Sequence, residues 1–116
     1  MAATIDILGL GCTSVDDVLF VDVVADADGK QPVIRRERHF GGLTATALVA
    51  AARLGARCAY AGILGDDPLS AAVIENLARE GIAVTSVPRV VGGAPVYATI
   101  VVAARPPSRT IYYSIP

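Results

Sequence analysis

The chain has 116 residues, of which 53% are hydrophobic, and ten basic against eleven acidic side chains give it a net charge of −1. This composition supports a folded core and indicates neither a nucleic-acid surface nor a polybasic membrane patch. No apolar run reaches the roughly 18 to 20 residues that span a bilayer, and the first residues lack the basic segment of a signal peptide. We therefore predict a cytoplasmic protein with no nucleic-acid or membrane partner.

Cysteine and histidine, the usual ligands of zinc, are scarce in the chain. Cys12 and Cys58 both lie in or beside predicted strands, so we interpret them as small core side chains. The single histidine, His39, is more simply a solvated or structurally paired side chain than a catalytic one. We therefore predict no metal site in this chain.

The first strand is predicted at Ile5 to Gly9, a short apolar run that we expect to be a central parallel strand. Its end opens toward Cys12, Thr13 and Ser14, and ligands of open α/β sheets bind at such ends. The Gly9-x-Gly11 pattern argues against dinucleotide binding, because it lacks a third glycine and a following helix.

A hairpin is predicted next. Val18 to Val24 and Val33 to Phe40 are β-prone, and turn-forming residues separate them. A hairpin between the first strand and the first crossover helix does not belong to the main sheet, so it should project from it. Its Arg-Arg-Glu-Arg run is most simply a solvated strand face, with attraction of the phosphate of an anionic substrate as the alternative.

A glycine pair opens the next segment. Gly41-Gly42 can bring bare backbone N–H groups close to a ligand at the start of a helix, which favours a polar or anionic ligand. The helix should open at Leu43 to Thr44, continue through Ala45 to Leu54 and stop at Gly55. It should be buried on more than one side, since its side chains are small and apolar.

A buried strand is predicted at Cys58 to Ala61, and a second helix begins after it. Asp67 is a suitable N-cap, with Pro68 at the first helical position and a stop at Gly81. Capping is the favoured role of Asp66 and Asp67, with direct ligand contact as the alternative. Leu69, Val73 and Leu77 form the apolar stripe of this helix.

The last third of the chain is rich in β-prone residues. Ala83 to Val91 reads as a strand that Pro88 interrupts. Val96 to Ala103 and Arg109 to Tyr113 read as a second hairpin. Together with the first hairpin it should complete a small sheet beside the α/β body.

The order of these motifs resembles the ribokinase-like, or PfkB-type, carbohydrate kinases over essentially the whole chain. The motifs are the glycine pair, A-T-A, L-G and G-x-x-G-D-D, with Thr46 where the family usually has Asn and Ser70 where it usually has Gly. The run A-P-V-Y-A-T-I-V-V followed by S-R-T-I-Y-Y is weakly similar to fructokinase-type and ketohexokinase members.

The resemblance implies an α/β protein, the N-terminal part of a three-layer α/β/α fold with a projecting β-sheet lid. The lid strands would comprise residues of about 17–40 and 95–114, and the α/β body residues of about 4–16 and 41–91.

The resemblance also implies a sugar-binding site. Family members carry G-x-x-N-x-D after the first strand, and Gly11 to Asp16 matches this motif with Ser14 in place of Asn.

The expected sugar-binding residues are therefore Ser14, Asp16, Gly41, Gly42 and Thr46. An ionised Asp16 can accept hydrogen bonds from two neighbouring hydroxyls of a polyol. A turn-forming aspartate is the simpler alternative for this position.

As a function, the resemblance implies the sugar-binding and lid portion of an ATP-dependent sugar kinase. The family's catalytic Asp and nucleotide pocket belong to a later G-A-G-D segment, so ATP and Mg²⁺ are expected for a longer parent protein. This chain alone should bind neither cofactor, contain no catalytic residue and be inactive. The alternatives are a non-catalytic sugar- or nucleoside-binding module and an interaction protein.

A homodimer is expected through the two hairpins, Val18 to Phe40 and Val96 to Tyr113. Apolar residues occupy alternate positions on both faces of these strands, including Val21, Val23, Val101 and Ile111. A flap with two apolar faces is unstable in water and must be covered.

Overall fold

The protein is described here by a computed structural model, which covers residues 4–116. These residues form eight strands and two helices: β1 (Ile7–Gly9), β2 (Ser14–Val21), β3 (Arg35–Gly41), α1 (Leu43–Arg53), β4 (Cys58–Tyr60), β5 (Leu64–Gly65), α2 (Pro68–Arg79), β6 (Arg89–Val90), β7 (Val96–Ala103) and β8 (Ser108–Ser114). The predicted α/β class is confirmed.

Both predicted hairpins are present, and they join in one four-stranded sheet of order β3-β2-β7-β8. Each hairpin is antiparallel, and β2 and β7 pair in parallel at the centre of the sheet. Strand β2 begins at Ser14, four residues before the predicted run, and ends at Val21 rather than Val24. The sheet therefore includes the polar segment Ser14 to Asp17, which was predicted to precede it.

This sheet extends away from the rest of the molecule. The radius of gyration is 16.6 Å, whereas a compact domain of this length has about 13 Å. The molecule is 59 Å long and 17 Å across its thinnest direction. An extended shape of this kind agrees with a projecting sheet.

Strand β1 differs from its prediction. In the described part of the chain it pairs only with β4, in parallel, so it is an edge strand and not a central one. Ile5, Ile7 and Leu8 are exposed. Gly9 lies against helix α1, where an added Cβ would be 2.5 Å from Leu48 Cδ1. The glycine thus allows the helix to pack closely on β1.

Helix α1 is buried on one side only, so the prediction of burial on more than one side was wrong. Ala45 and Leu48 are buried, whereas Thr46, Ala47 and Ala50 are accessible. The small side chains on the accessible side border a cavity instead of a second packed layer.

Helix α2 begins as predicted. The Asp67 carboxylate accepts hydrogen bonds from the N–H groups of Leu69 (3.1 Å) and Ser70 (3.2 Å), which confirms its capping role. Ser70 is fully buried, and its hydroxyl accepts a hydrogen bond of 2.9 Å from the N–H of Gly65. The serine that departs from the family pattern therefore fixes the turn before α2. Val73 and Leu77 complete the buried stripe.

Two further predictions need correction. Between Ala83 and Val91 the structure has only a single bridge at Ala83 and the two-residue strand β6, which begins directly after Pro88. Cys58 is buried as predicted, but Cys12 is exposed. It follows the end of β1 and lies at the border of two cavities.

Candidate functional site

A cavity of about 680 Å³ lies between the four-stranded sheet and helix α1. Four of the five predicted site residues line it: Ser14, Asp16, Gly42 and Thr46. The fifth, Gly41, pairs with Ser14 across the sheet, and a Cβ there would be 3.1 Å from Ser14 Oγ and 3.2 Å from Asp16 Oδ2. The structure therefore brings all five residues together.

The alternation of side chains along β2 explains this grouping. Ser14 and Asp16 share one face of the strand with Val18, and their partners on β7 are Val96 and Ala98. We call this side of the sheet, which carries Ser14, Asp16, Ala98 and Ile100, the cavity face. The side that carries Asp17, Leu19, Val101 and Tyr112 is the opposite face.

Asp16 and Asp17 are neighbours in sequence but differ in their surroundings. Asp17 accepts two hydrogen bonds from the Arg38 guanidinium, at 2.7 and 2.8 Å, and one of 2.5 Å from the Tyr97 hydroxyl. The hydrogen bonds from Arg38 lower the pKa of Asp17 to about 2. Asp17 is thus an ionised structural group that holds β2, β3 and β7 together on the opposite face.

Asp16, in contrast, is half-buried and has no hydrogen-bond or ion-pair partner among residues 4–116. Its carboxylate faces the cavity from a regular strand, so the alternative of a turn-forming aspartate was wrong. A partly desolvated carboxylate without a protein partner can still accept hydrogen bonds, and a polyol can donate them.

The start of helix α1 forms another side of the cavity. Gly42 is the N-cap, with φ of 92° and ψ of 145°, and no side chain caps the helix. The first-turn N–H groups are therefore available to a ligand, and the helix dipole favours negative charge there. Thr46 follows one turn later on the same side.

The remaining wall is apolar and belongs to the predicted lid strands, although none of its residues was predicted as a site residue. It is formed mainly by β7 and β8, with Val96, Ala98, Ile100, Ile111 and Tyr113. One cation, Arg109, lies among these side chains. To predict that these side chains share a face with Asp16, one must know the register of the second hairpin. That register depends on the residue at which the turn begins.

Other groups do not join this site. His39 Nε2 lies 2.7 Å from Glu37 Oε2 and is exposed, which agrees with the predicted paired side chain. A second cavity of about 560 Å³, at the ends of β1 and β4, has no charged side chain in its lining. Within residues 4–116, no three His, Cys, Asp or Glu side chains are close enough together to hold a metal ion. The same stretch contains no helix long and apolar enough to cross a bilayer.

Comparison with known proteins gives a consistent assignment. Residues 11–115 match the pfkB family carbohydrate kinases. Among solved structures, ribokinase from Thermotoga maritima is similar with 26% identity and a TM-score of 0.77, over 96% of this chain and 36% of that one. Ribokinase from Cryptococcus neoformans in complex with ADP shows 21% identity and a TM-score of 0.76, over 97% and 34% of the two chains.

A fructokinase from Xylella fastidiosa is also similar, with 22% identity and a TM-score of 0.71, over 95% of this chain and 32% of that one. The chain thus spans about a third of the length of the solved kinases that it matches. No curated protein gave a significant match. The predicted ribokinase-like fold is confirmed by these structures.

Proposed function

The chain belongs to the pfkB family of carbohydrate kinases, and we propose on this basis that it is the sugar-binding and lid portion of an ATP-dependent sugar kinase. The parent reaction would transfer the γ-phosphate of ATP to a sugar hydroxyl. The observation that carries the proposal is the Asp16 carboxylate, which has no protein partner in the described residues and faces a cavity shared with Ser14, Gly42 and Thr46.

Each part of the cavity has a role in this proposal. Asp16 and Ser14 hold the sugar hydroxyls, and the N–H groups at the start of α1 bind a further oxygen. The apolar strands β7 and β8 cover the sugar and limit its contact with water. Fixing a substrate in this way lowers the entropic part of the reaction barrier, because the reacting hydroxyl no longer has to be oriented.

The cofactors belong to the proposed parent protein. ATP use is supported by the family and by the related ribokinase solved with ADP. In this proposal the carboxylates that hold Mg²⁺ beside the nucleotide belong to that longer protein. We therefore assign no catalytic residue and derive no step of phosphoryl transfer within this chain.

The proposal predicts sugar binding without turnover. Calorimetric titration of the purified chain with D-fructose, D-ribose and adenosine should show binding of at least one of them. The same preparation should release no ADP from Mg-ATP in the presence of that ligand. Binding of none of the three would contradict the proposal, and measurable phosphorylation would contradict the assignment of the catalytic groups to other parts of a longer protein.

We also propose that the sheet mediates a homodimer. Its opposite face carries a groove of about 340 Å³ whose strand residues include Leu19, Val21, Val101 and Tyr112. Tyr112 is 66% exposed. Val21 is already buried within the chain, so a second copy would cover mainly Tyr112 and the partly exposed Leu19 and Val101. Removing their surface from water would stabilise the dimer.

The dimer can be tested with a pair of tyrosines. Tyr112 and Tyr113 are equally exposed, but Tyr112 lies on the opposite face and Tyr113 on the cavity face. Sedimentation at micromolar concentration should show a dimer that Tyr112→Asp converts to monomer and Tyr113→Asp leaves intact. A monomeric wild-type chain, or equal effects of the two substitutions, would disprove the proposed interface.

A further inference from the structure

Two charged side chains, Asp16 and Arg109, line the cavity among otherwise neutral residues. Both lie on the cavity face. Asp16 pairs with Ala98, Ala98 with Tyr113, and Arg109 precedes Tyr113 by four positions on β8. By strand geometry the two Cα atoms are separated by about 13 Å along the strands and about 10 Å across them. The cavity is therefore charged at two opposite places.

Arg109 also differs from most arginines of the chain in lacking a protein partner. Ion pairs with Asp or Glu are made by Arg35, Arg38, Arg53, Arg57, Arg79 and Arg105. Within residues 4–116 no carboxylate lies in ion-pair distance of Arg109. Its guanidinium is thus available to a ligand in the cavity.

The chemistry of the guanidinium indicates what kind of group it would bind. Its planar fork of donors matches the oxygens of a carboxylate or phosphate, and it stays protonated at all physiological pH values. The surrounding side chains, Ile100 and Ile111, are apolar and offer no competing acceptor. An anionic group next to Arg109 would gain a charge-assisted pair of hydrogen bonds.

From this arrangement we infer that the site selects an anionic sugar, whose hydroxyls bind at Asp16 and whose phosphate or carboxylate binds at Arg109. This inference rests on the proposed sugar-binding function and narrows its substrate class. Asp16 would repel the anionic group, so the two charges also fix the direction in which the ligand lies. A neutral sugar would use only the Asp16 end of the cavity.

The test compares D-fructose with fructose 6-phosphate and D-gluconate in calorimetric titrations of the purified chain, with inorganic phosphate as a further probe. At least one anionic ligand should bind roughly tenfold or more tightly than fructose. Preference for fructose 6-phosphate identifies phosphate as the recognised group, and preference for gluconate identifies a carboxylate. Inorganic phosphate should bind more weakly than the preferred ligand, because it lacks the hydroxyls for Asp16.

Arg109→Gln should abolish the preference for the anionic ligand, because glutamine carries no charge to pair with it. Arg36→Gln is the matched control, since Arg36 is also exposed on an outer strand but lies on the opposite face. It should preserve the preference. The inference would be overturned if neutral and anionic ligands bound with equal affinity, or if the two variants lost the preference equally. Fructose binding would still uphold the proposed function in either case. If neither the anionic ligands nor any of the neutral ones, fructose, ribose and adenosine, bound to the chain, both would be overturned.

Discussion

Replacement of Asp16 by alanine is expected to weaken the binding of the preferred sugar roughly tenfold to a hundredfold. A hydrogen bond to a charged group contributes about 1.5 to 3 kcal/mol, and about 1.4 kcal/mol corresponds to a tenfold change in affinity. Asp16 has no partner in the described protein, so its removal leaves no buried group unpaired and should not destabilise the fold. Calorimetric titration and urea unfolding of the same preparation would measure both quantities.

Asp17 provides the matched control for this experiment. It is adjacent in sequence and also half-buried, but it points to the opposite face and binds Arg38 and Tyr97. Asp17→Asn should lower the urea midpoint by weakening this ion pair while leaving the affinity of the folded protein for the sugar unchanged. If Asp16→Ala binds the sugar as tightly as the wild type does, Asp16 is not a sugar ligand.

Replacement of Gly42 by valine is expected to destabilise the fold by at least about 2 kcal/mol and to abolish sugar binding. The backbone conformation of Gly42 costs other residues about 1 to 3 kcal/mol. In addition, a Cβ would be 2.7 Å from the carbonyl oxygen of Cys12 and from Thr13 Cα, and a clash with backbone cannot be relieved by a rotamer change. Urea unfolding would measure the loss.

Gly55→Val separates the two effects. Gly55 also has a positive φ, of 100°, but a Cβ there would meet no atom within 4 Å. At Gly55, valine should therefore destabilise the fold through backbone strain alone. At Gly42 it should destabilise the fold through both backbone strain and crowding. Equal losses of stability at the two positions would show that Gly42 is needed for its conformation alone and not for the close approach of α1 to the segment before β2.

Much of the fold could be predicted because local signals were unambiguous. The Asp67-Pro68 cap, the glycine stops and the strand from Val96 to Ala103 depend on interactions within a few residues. The edge position of β1 depends instead on which strands lie beside it, and an apolar run alone does not distinguish a central strand from an edge strand. The same holds for α1, where small side chains fit both a packed layer and a cavity wall.

Gly41 and Gly42 were predicted from their own chemistry, and Ser14, Asp16 and Thr46 through a family resemblance. Ser14 and Asp16 reach the cavity because β2 begins at Ser14, a boundary that the sequence placed later. Arg109 was missed because its place on the cavity face depends on the pairing of β7 with β8. Such pairing is a long-range property, and a shift by one residue would reverse it.

The parallel pairing of β2 with β7 also has consequences for the order in which the chain folds. Ser14 pairs with Val96, so this contact closes a loop of 82 residues (96 minus 14) that contains both helices. Closing a loop of this length costs more chain entropy than forming either hairpin. The hairpins should therefore form early and dock with each other late, once the helices have shortened the loop. Since Asp16 and Arg109 come from different hairpins, the complete cavity should appear only in that last step.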